Sequence, residues 1–154
     1  MSLLLLGTMM KIDIISVQPG MFEGFLTQSI IGRAVNRGLC EINIIDLREF
    51  GIGRWKKVDD KPYGGGPGML MKCEPWFEAV ESRLPARVVM TSPHGRKFAQ
   101  KDAVELSRCD HLVFMCGHYE GFDARVNTLA DDVFSIGDFV LTGGEIPAAA
   151  IVDS

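Results

Sequence analysis

The sequence contains no GxxxxGK followed by Ser or Thr, and no GxGxxG joining a strand to a helix. Neither a P-loop nor a dinucleotide fingerprint is available to cradle a phosphate. Four cysteines, Cys40, Cys73, Cys109 and Cys116, include no CxxC pair. Zinc and dithiol spacings are thereby excluded, and free thiols in a reducing compartment are expected, with no metal site. The one apolar terminus, Leu3 to Leu6, is too short for a membrane span and lacks the basic flank of a secretory leader. Positive charge is scarce too: the formal net charge is −4, so no whole-surface basic field exists to hold nucleic acid non-specifically. A cytoplasmic protein without membrane attachment is the expectation.

Glycine, by contrast, is abundant. Seventeen in 154 residues is about 11%, against a usual share of about 7%, so some backbone must take positive φ or lie close against something. The length corresponds to about one domain, and 47% hydrophobic with 23% charged residues argues against disorder. Residues 1–10 read as a leader or added segment, and 11–154 as the folded domain.

Lys11 to Val17 is a β-branched run bounded by Pro19-Gly20 and reads as a strand. From Met21 to Arg37 apolar residues recur at three- and four-residue spacing and Gly38 follows as a C-terminal cap, which predicts one helix. Glu41 to Leu47 reads as a second strand, so the start is β-α-β and the sheet is parallel. Arg48 to Met71 has no sustained period and reads as a long loop, of a length that is usually functional or mobile. Alternation then resumes: a helix from about Glu74 to Ser82, a strand Arg87 to Thr91, a helix from about Ala99 to Ser107, and a strand His111 to Cys116. A short helix or turn follows near Phe122 to Leu129, then a strand-like run Asp132 to Leu141 and a helix opening at Glu145. The fold class is α/β, a parallel sheet flanked by helices.

Open α/β sheets bind ligands beyond the carboxyl ends of their strands. Three glycine-bearing strand ends stand out: Thr91 to Gly95, Gly117 to Gly121, and Leu141 to Gly144. Each could be a tight connection, or a place where backbone groups read a flat ligand such as adenine at close range. In Asp59 to Met69, Pro62 and Pro67 stiffen what Gly64, Gly65, Gly66 and Gly68 loosen, which suits a shaped surface better than a spacer. Gly51 to Lys61 carries a net +2 from Arg54, Lys56, Lys57 and Lys61 against Asp59 and Asp60. It is either a solvated loop or a phosphate-contacting patch.

Four stretches in register, DDKPYGGGPGMLM at Asp59 to Met71, SPHGRK at Ser92 to Lys97, CGHYEG at Cys116 to Gly121 and SIGDFVLTGGE at Ser135 to Glu145, resemble the bacterial tRNA (guanine-N1-)-methyltransferase family, TrmD, of the SPOUT class. The resemblance runs from about Lys11 to Ser154. It implies a SPOUT-type fold with a deep trefoil knot, and an obligate homodimer with the active site at the interface. The activity implied is S-adenosylmethionine-dependent methylation of guanine N1 beside the tRNA anticodon, at position 37. Carried over by position, the cofactor site falls on Ser92, Pro93, Gly117, Tyr119, Glu120, Ile136, Gly137, Asp138, Phe139, Val140, Leu141, Gly143, Gly144 and Pro147. The tRNA substrate falls to Tyr63, Gly64, Gly65, Gly66, Pro67 and Gly68. His118 departs from the arginine common in the family after Cys-Gly.

Guanine N1 carries a proton at neutral pH, so a positioned base is needed. Glu120 and Asp138 are the candidates in this chain; Glu120 is favoured as a guanine-edge or cofactor contact, and Asp138 is expected to cap backbone at a buried strand end. The resemblance places the family's base and a partner arginine beyond Ser154, with a C-terminal tRNA-binding domain also absent from this sequence. The chain alone is therefore expected to bind the methyl donor as a dimer and to methylate tRNA poorly or not at all. A SPOUT enzyme with another RNA target, such as ribose 2′-oxygen, and a non-catalytic RNA- or nucleotide-binding module are the alternatives.

Overall fold

A computed structural model describes residues 9–62, 64–118 and 121–154. The expected leader lies mostly outside these residues, and so do the candidate positions Tyr63, Tyr119 and Glu120.

Five parallel strands form the central sheet: β1 (Met10–Ser16), β2 (Cys40–Asp46), β5 (Arg87–Lys97), β6 (His111–Cys116) and β7 (Asp132–Ser135), in the order β2-β1-β6-β5-β7. β1 begins at Met10, which pairs with Cys40, one residue before the expected start of the domain. Side chains alternate between the two faces, and both faces are covered. Leu112, Phe114 and Cys116 of β6 join Phe22, Val89, Phe134, Ala148 and Ile151 in one core. Val113 and Met115 join Ile15, Val88, Met90, Trp76 and Val80 in the other. This two-sided burial explains why the strands read as near-continuous apolar runs.

Helix α3 (Cys73–Glu81) supplies Trp76, Ala79 and Val80 to one layer, and α5 (Glu145–Asp153) supplies Ala148 and Ile151 to the other. Between them, α4 (Gln100–Leu106) follows β5. Asp102, in its first turn, accepts from the Ala99 amide (2.8 Å) and holds both terminal guanidinium nitrogens of Arg96 (2.9 and 3.1 Å).

Three elements differ from the sequence reading. The single helix expected over Met21 to Arg37 is a 3-10 turn (Pro19–Phe22) and two short helices, α1 (Glu23–Thr27) and α2 (Ser29–Asn36). Gln28 is extended and Ser29 has φ +57°, so the chain folds back on itself. Gly32 consequently lies so close to Thr27 that a Cβ there would sit 2.6 Å from the Thr27 carbonyl carbon. The break turns Ile30, a periodic position expected on the core face, out to 67% exposure. Gly38, with φ +69°, caps α2 as its position foretold.

The strand expected over Arg87 to Thr91 continues to Lys97, but residues 92–95 leave the ladder: Thr91 and Arg96 both face Phe134. The strand expected over Asp132 to Leu141 stops at Ser135. There the Ser135 hydroxyl bonds both the amide (3.2 Å) and the carbonyl (2.9 Å) of Gly137 and turns the chain off the sheet edge. The long loop contains a two-stranded antiparallel ladder, β3 (Asp59–Asp60) with β4 (Leu70–Met71), which carries the glycine-rich turn between its strands.

Candidate functional site

A cleft of about 640 Å³ opens beyond the carboxyl ends of β5, β6 and β7. Its floor is a close junction of the three strand-end segments. Gly144 donates its amide to the Gly117 carbonyl (2.7 Å), and its own carbonyl accepts from Thr91 Oγ1 (3.2 Å). Only a residue without a Cβ fits: a Cβ on Gly144 would lie 2.3 Å from Thr91 Oγ1 and 3.0 Å from the Cys116 Cα. One on Gly117 would strike the Phe122 ring at 2.6 Å. His118 and Gly143 add an antiparallel bridge between the second and third segments.

The structure thus brings together Ser92 and Pro93 from β5, Gly117 after β6, and Ile136, Gly137, Phe139, Val140, Leu141, Gly143, Gly144 and Pro147 after β7, all of which line the cleft. Asp138 does not join them. Instead of capping a buried strand end, its side chain is 83% exposed and pairs with Lys97 Nζ at 2.6 Å. The cause is the early end of β7, which puts Asp138 on an open turn. Phe139 and Val140 are 55% and 83% exposed, so one wall of the cleft presents apolar surface to solvent.

Of the residues assigned to the substrate, Gly64, Gly65, Gly66 and Gly68 all have positive φ, from +82° to +123°. They and Pro67 are exposed and do not line the cleft. The base of their hairpin is nevertheless tied to it. Met71 donates to the Gly121 carbonyl and accepts from the Asp123 amide, each at 3.0 Å, and Gly121 and Phe122 line the cleft. At this rim Asp123 takes two side-chain hydrogen bonds from Arg125 (2.8 and 3.1 Å) and one from its amide (3.0 Å). These hold the Asp123 carboxyl well below the ordinary carboxylate range, at about 2.

Sequence reasoning did not single out Glu145. It opens α5 directly after Gly143-Gly144, yet is only 2% exposed. Its Oε1 accepts from the Ser16 hydroxyl (2.7 Å), which in turn accepts from the Gln18 amide (2.8 Å). Its Oε2 lies so close to Gly143 that a Cβ there would be 2.4 Å away. The end of β1 is thereby linked to the loop that floors the cleft. Burial, with the Glu145 charge adding to it, pushes the Cys116 thiol well above its usual range. An acidic residue at a helix start reads as an exposed cap, and no sequence signal marks this one as buried.

Among the described residues no three His, Cys, Asp or Glu side chains come together as a metal site, and no helix is long and apolar enough to cross a membrane. Fold and cleft together define a parallel α/β domain with a cleft of small-molecule size on glycine-rich strand-end loops, floored by backbone. The chain belongs to the tRNA (Guanine-1)-methyltransferase TrmD family, whose model matches residues 10–154. It is 49% identical over 150 residues to a tRNA (guanine-N(1)-)-methyltransferase of Geobacillus kaustophilus, covering 94% of this chain and 62% of the relative. It is 52% identical over 149 residues to that of Carboxydothermus hydrogenoformans, covering 94% and 58%. The crystal structure of tRNA (m1G37) methyltransferase from Aquifex aeolicus superposes with a TM-score of 0.85 at 40% identity, covering 94% of this chain and 67% of that one. The chain therefore spans about three fifths of the length of the curated relatives it matches.

Proposed function

We propose that this domain holds S-adenosylmethionine in the strand-end cleft and presents its methyl group to N1 of a tRNA guanine beside the anticodon, at position 37. The observation that carries the reading is the junction of Gly144, Gly117 and Thr91. It makes a floor of backbone so close-packed that side chains are excluded, which suits the edge of an adenine. The cleft volume lies within the range of small-molecule sites, about 300–1,000 Å³. Bound there, the donor supplies an electrophilic methyl group.

The chain's own residues orient and enclose. Ser92 and Pro93 form one side, Gly117 the floor with Gly143 and Gly144, and Ile136, Gly137, Phe139, Val140 and Leu141 the largely apolar wall, with Pro147 also lining the cleft. Tyr119 and Glu120 belong to the second of these loops by sequence. Methyl transfer needs the methyl and the attacking nitrogen held in near-attack geometry, and the pinning of the glycine hairpin to Gly121 and Asp123 supports a role for Tyr63 to Gly68 in bringing guanine to the rim. The proton on N1 requires an acceptor. Because Asp138 is bound to Lys97 and turned to solvent, Glu120 is the candidate acceptor in this chain. The resemblance assigns the family's base and arginine to positions after 154, in a part of the relatives that this chain does not span.

Further parts of the same proposal are a homodimer, a cytoplasmic setting and the trefoil knot. The exposure of Phe139, Val140 and Ile146 around the cleft supports a second subunit there. The return of the chain from β7 to the Gly117 carbonyl supports the knot. Nucleoside analysis of tRNA methylated by the full-length protein tests the reading. Methyl on N1 of guanine 37 is expected; methyl on a ribose 2′-oxygen would replace the target assignment.

A further inference from the structure

We propose that the hairpin closed by Ile52 and Lys57 is a stacking platform for an unpaired nucleotide of the RNA substrate. Trp55 would take the base on its open face, and Lys56 and Lys57 the adjoining phosphates. The inference rests on the tRNA reading above and adds a contact outside the cleft.

The two tryptophans occupy opposite environments: Trp76 is fully buried in the core, whereas Trp55 is 79% exposed. An indole left in water forgoes a large burial free energy, which is typical of a residue kept for contact. The Arg54 guanidinium lies over one face of the Trp55 ring, 5.6 Å from its centroid, leaving the other face open. Aromatic faces flanked by cations are the chemistry by which proteins hold single-stranded nucleic acid without reading sequence.

The platform is ordered before anything binds. Ile52 and Lys57 exchange both backbone hydrogen bonds (2.8 and 3.0 Å), and the Lys56 amide reaches the Gly53 carbonyl (3.3 Å). Gly51 packs so tightly against Lys56 that a Cβ would lie 2.3 Å from its carbonyl. A preordered loop loses less entropy on binding.

Charge at the tip favours an anion. Asp60, just past the hairpin, is bonded to Lys72 Nζ (3.3 Å) and the Lys61 amide (2.8 Å), and feels the Lys57 charge only as a lesser influence. Arg54, Lys56 and Lys57 have no acidic neighbour within the hairpin itself. Its root also runs toward the cleft: the Val58 carbonyl accepts from Lys72 (2.8 Å), and the adjoining Met71 is bonded to Gly121 and Asp123. A nucleotide stacked on Trp55 would belong to the RNA segment that leads to the cleft.

The test is titration of an anticodon stem–loop RNA, with guanosine 3′ to the anticodon, into the chain saturated with S-adenosylhomocysteine, followed by tryptophan emission and anisotropy. RNA should quench the emission of Trp55, and the response should vanish in Trp55→Phe, where only Trp76 remains. Trp55→Ala should weaken RNA binding about five- to a hundred-fold, the span of one base-stacking contact, and Trp55→Phe should keep most of the affinity. S-adenosylhomocysteine affinity and melting temperature should be unchanged in both variants. RNA binding by Trp55→Ala at wild-type strength overturns the inference and leaves the tRNA reading intact. Loss of a homodimer in Trp55→Ala also overturns it, because the ring would then be a protein contact. Binding of S-adenosylhomocysteine but no RNA by the unaltered chain overturns the inference as a contact of this domain, whereas the tRNA reading falls only if the nucleoside analysis of the full-length protein finds no methyl on tRNA.

Discussion

Gly144 carries the most restrictive contact of the cleft. Alanine there would push its methyl to 2.3 Å from Thr91 Oγ1 and 2.9 Å from the Gly117 amide, so the third loop must move away from the second. Overpacking of this kind costs about 1–3 kcal/mol. Gly144→Ala is therefore expected to lower the melting temperature by several degrees and to weaken donor binding at least tenfold, measured by thermal scans and calorimetry. Ser16→Ala makes a different prediction. It removes the hydroxyl that donates to the buried Glu145 carboxylate, at a cost of about 1–3 kcal/mol, with the larger effect on stability and a smaller one on the donor. Denaturant unfolding of the two variants beside the parent checks both. At this scale the glycines were legible in the sequence, because runs that end strands have few other reasons to be glycine. Glu145 was not, since its burial depends on Ser16, a residue far away in the chain that the fold brings beneath it.

The elements differ in how well local pattern fixed them. β6 coincides with its expected bounds because both of its faces are buried and nothing interrupts the run. The α1 and α2 break escaped notice because helical spacing persists across Gln28 while the backbone there is extended. β7 was expected to be longer because Ile136 to Leu141 is largely apolar; all of those residues but Asp138 instead line the cleft and its exposed wall. The segment from Gly121 to the 3-10 turn Ala124–Leu129 joins hairpin to cleft through backbone hydrogen bonds, and the Asp123–Arg125 pair that opens this turn is pH-dependent. Arg125 lowers the Asp123 carboxyl from the usual 3.8 to about 2. A depressed carboxyl stabilises fully above its unfolded value and loses that contribution as pH falls through the folded one. The Asp123–Arg125 pair should thus be intact at pH 5 and above, and its contribution should fade between about pH 4 and 2. Carbon-13 titration of the Asp123 carboxyl should give a midpoint near 2, and Arg125→Gln should return it toward 3.8.

For the molecule as a whole, the sheet is buried on both faces and the cleft sits at one end of it, past β5, β6 and β7. The α/β class and the parallel sheet were legible from alternating strand and helix patterns. The crossing of three distant loops at Gly144 was not, because contacts between residues 91, 117 and 144 leave no trace in any local window. The glycine excess now has a double explanation: positive φ in the hairpin at 64–68, and close approach at 117, 143 and 144. The central claim is that this junction holds the methyl donor, and calorimetric titration of the chain with S-adenosylmethionine, beside Gly144→Ala, tests it most directly. Saturable binding by the chain, weakened at least tenfold in a Gly144→Ala variant that remains folded, is predicted; absence of binding, or equal binding by the two, would contradict the account.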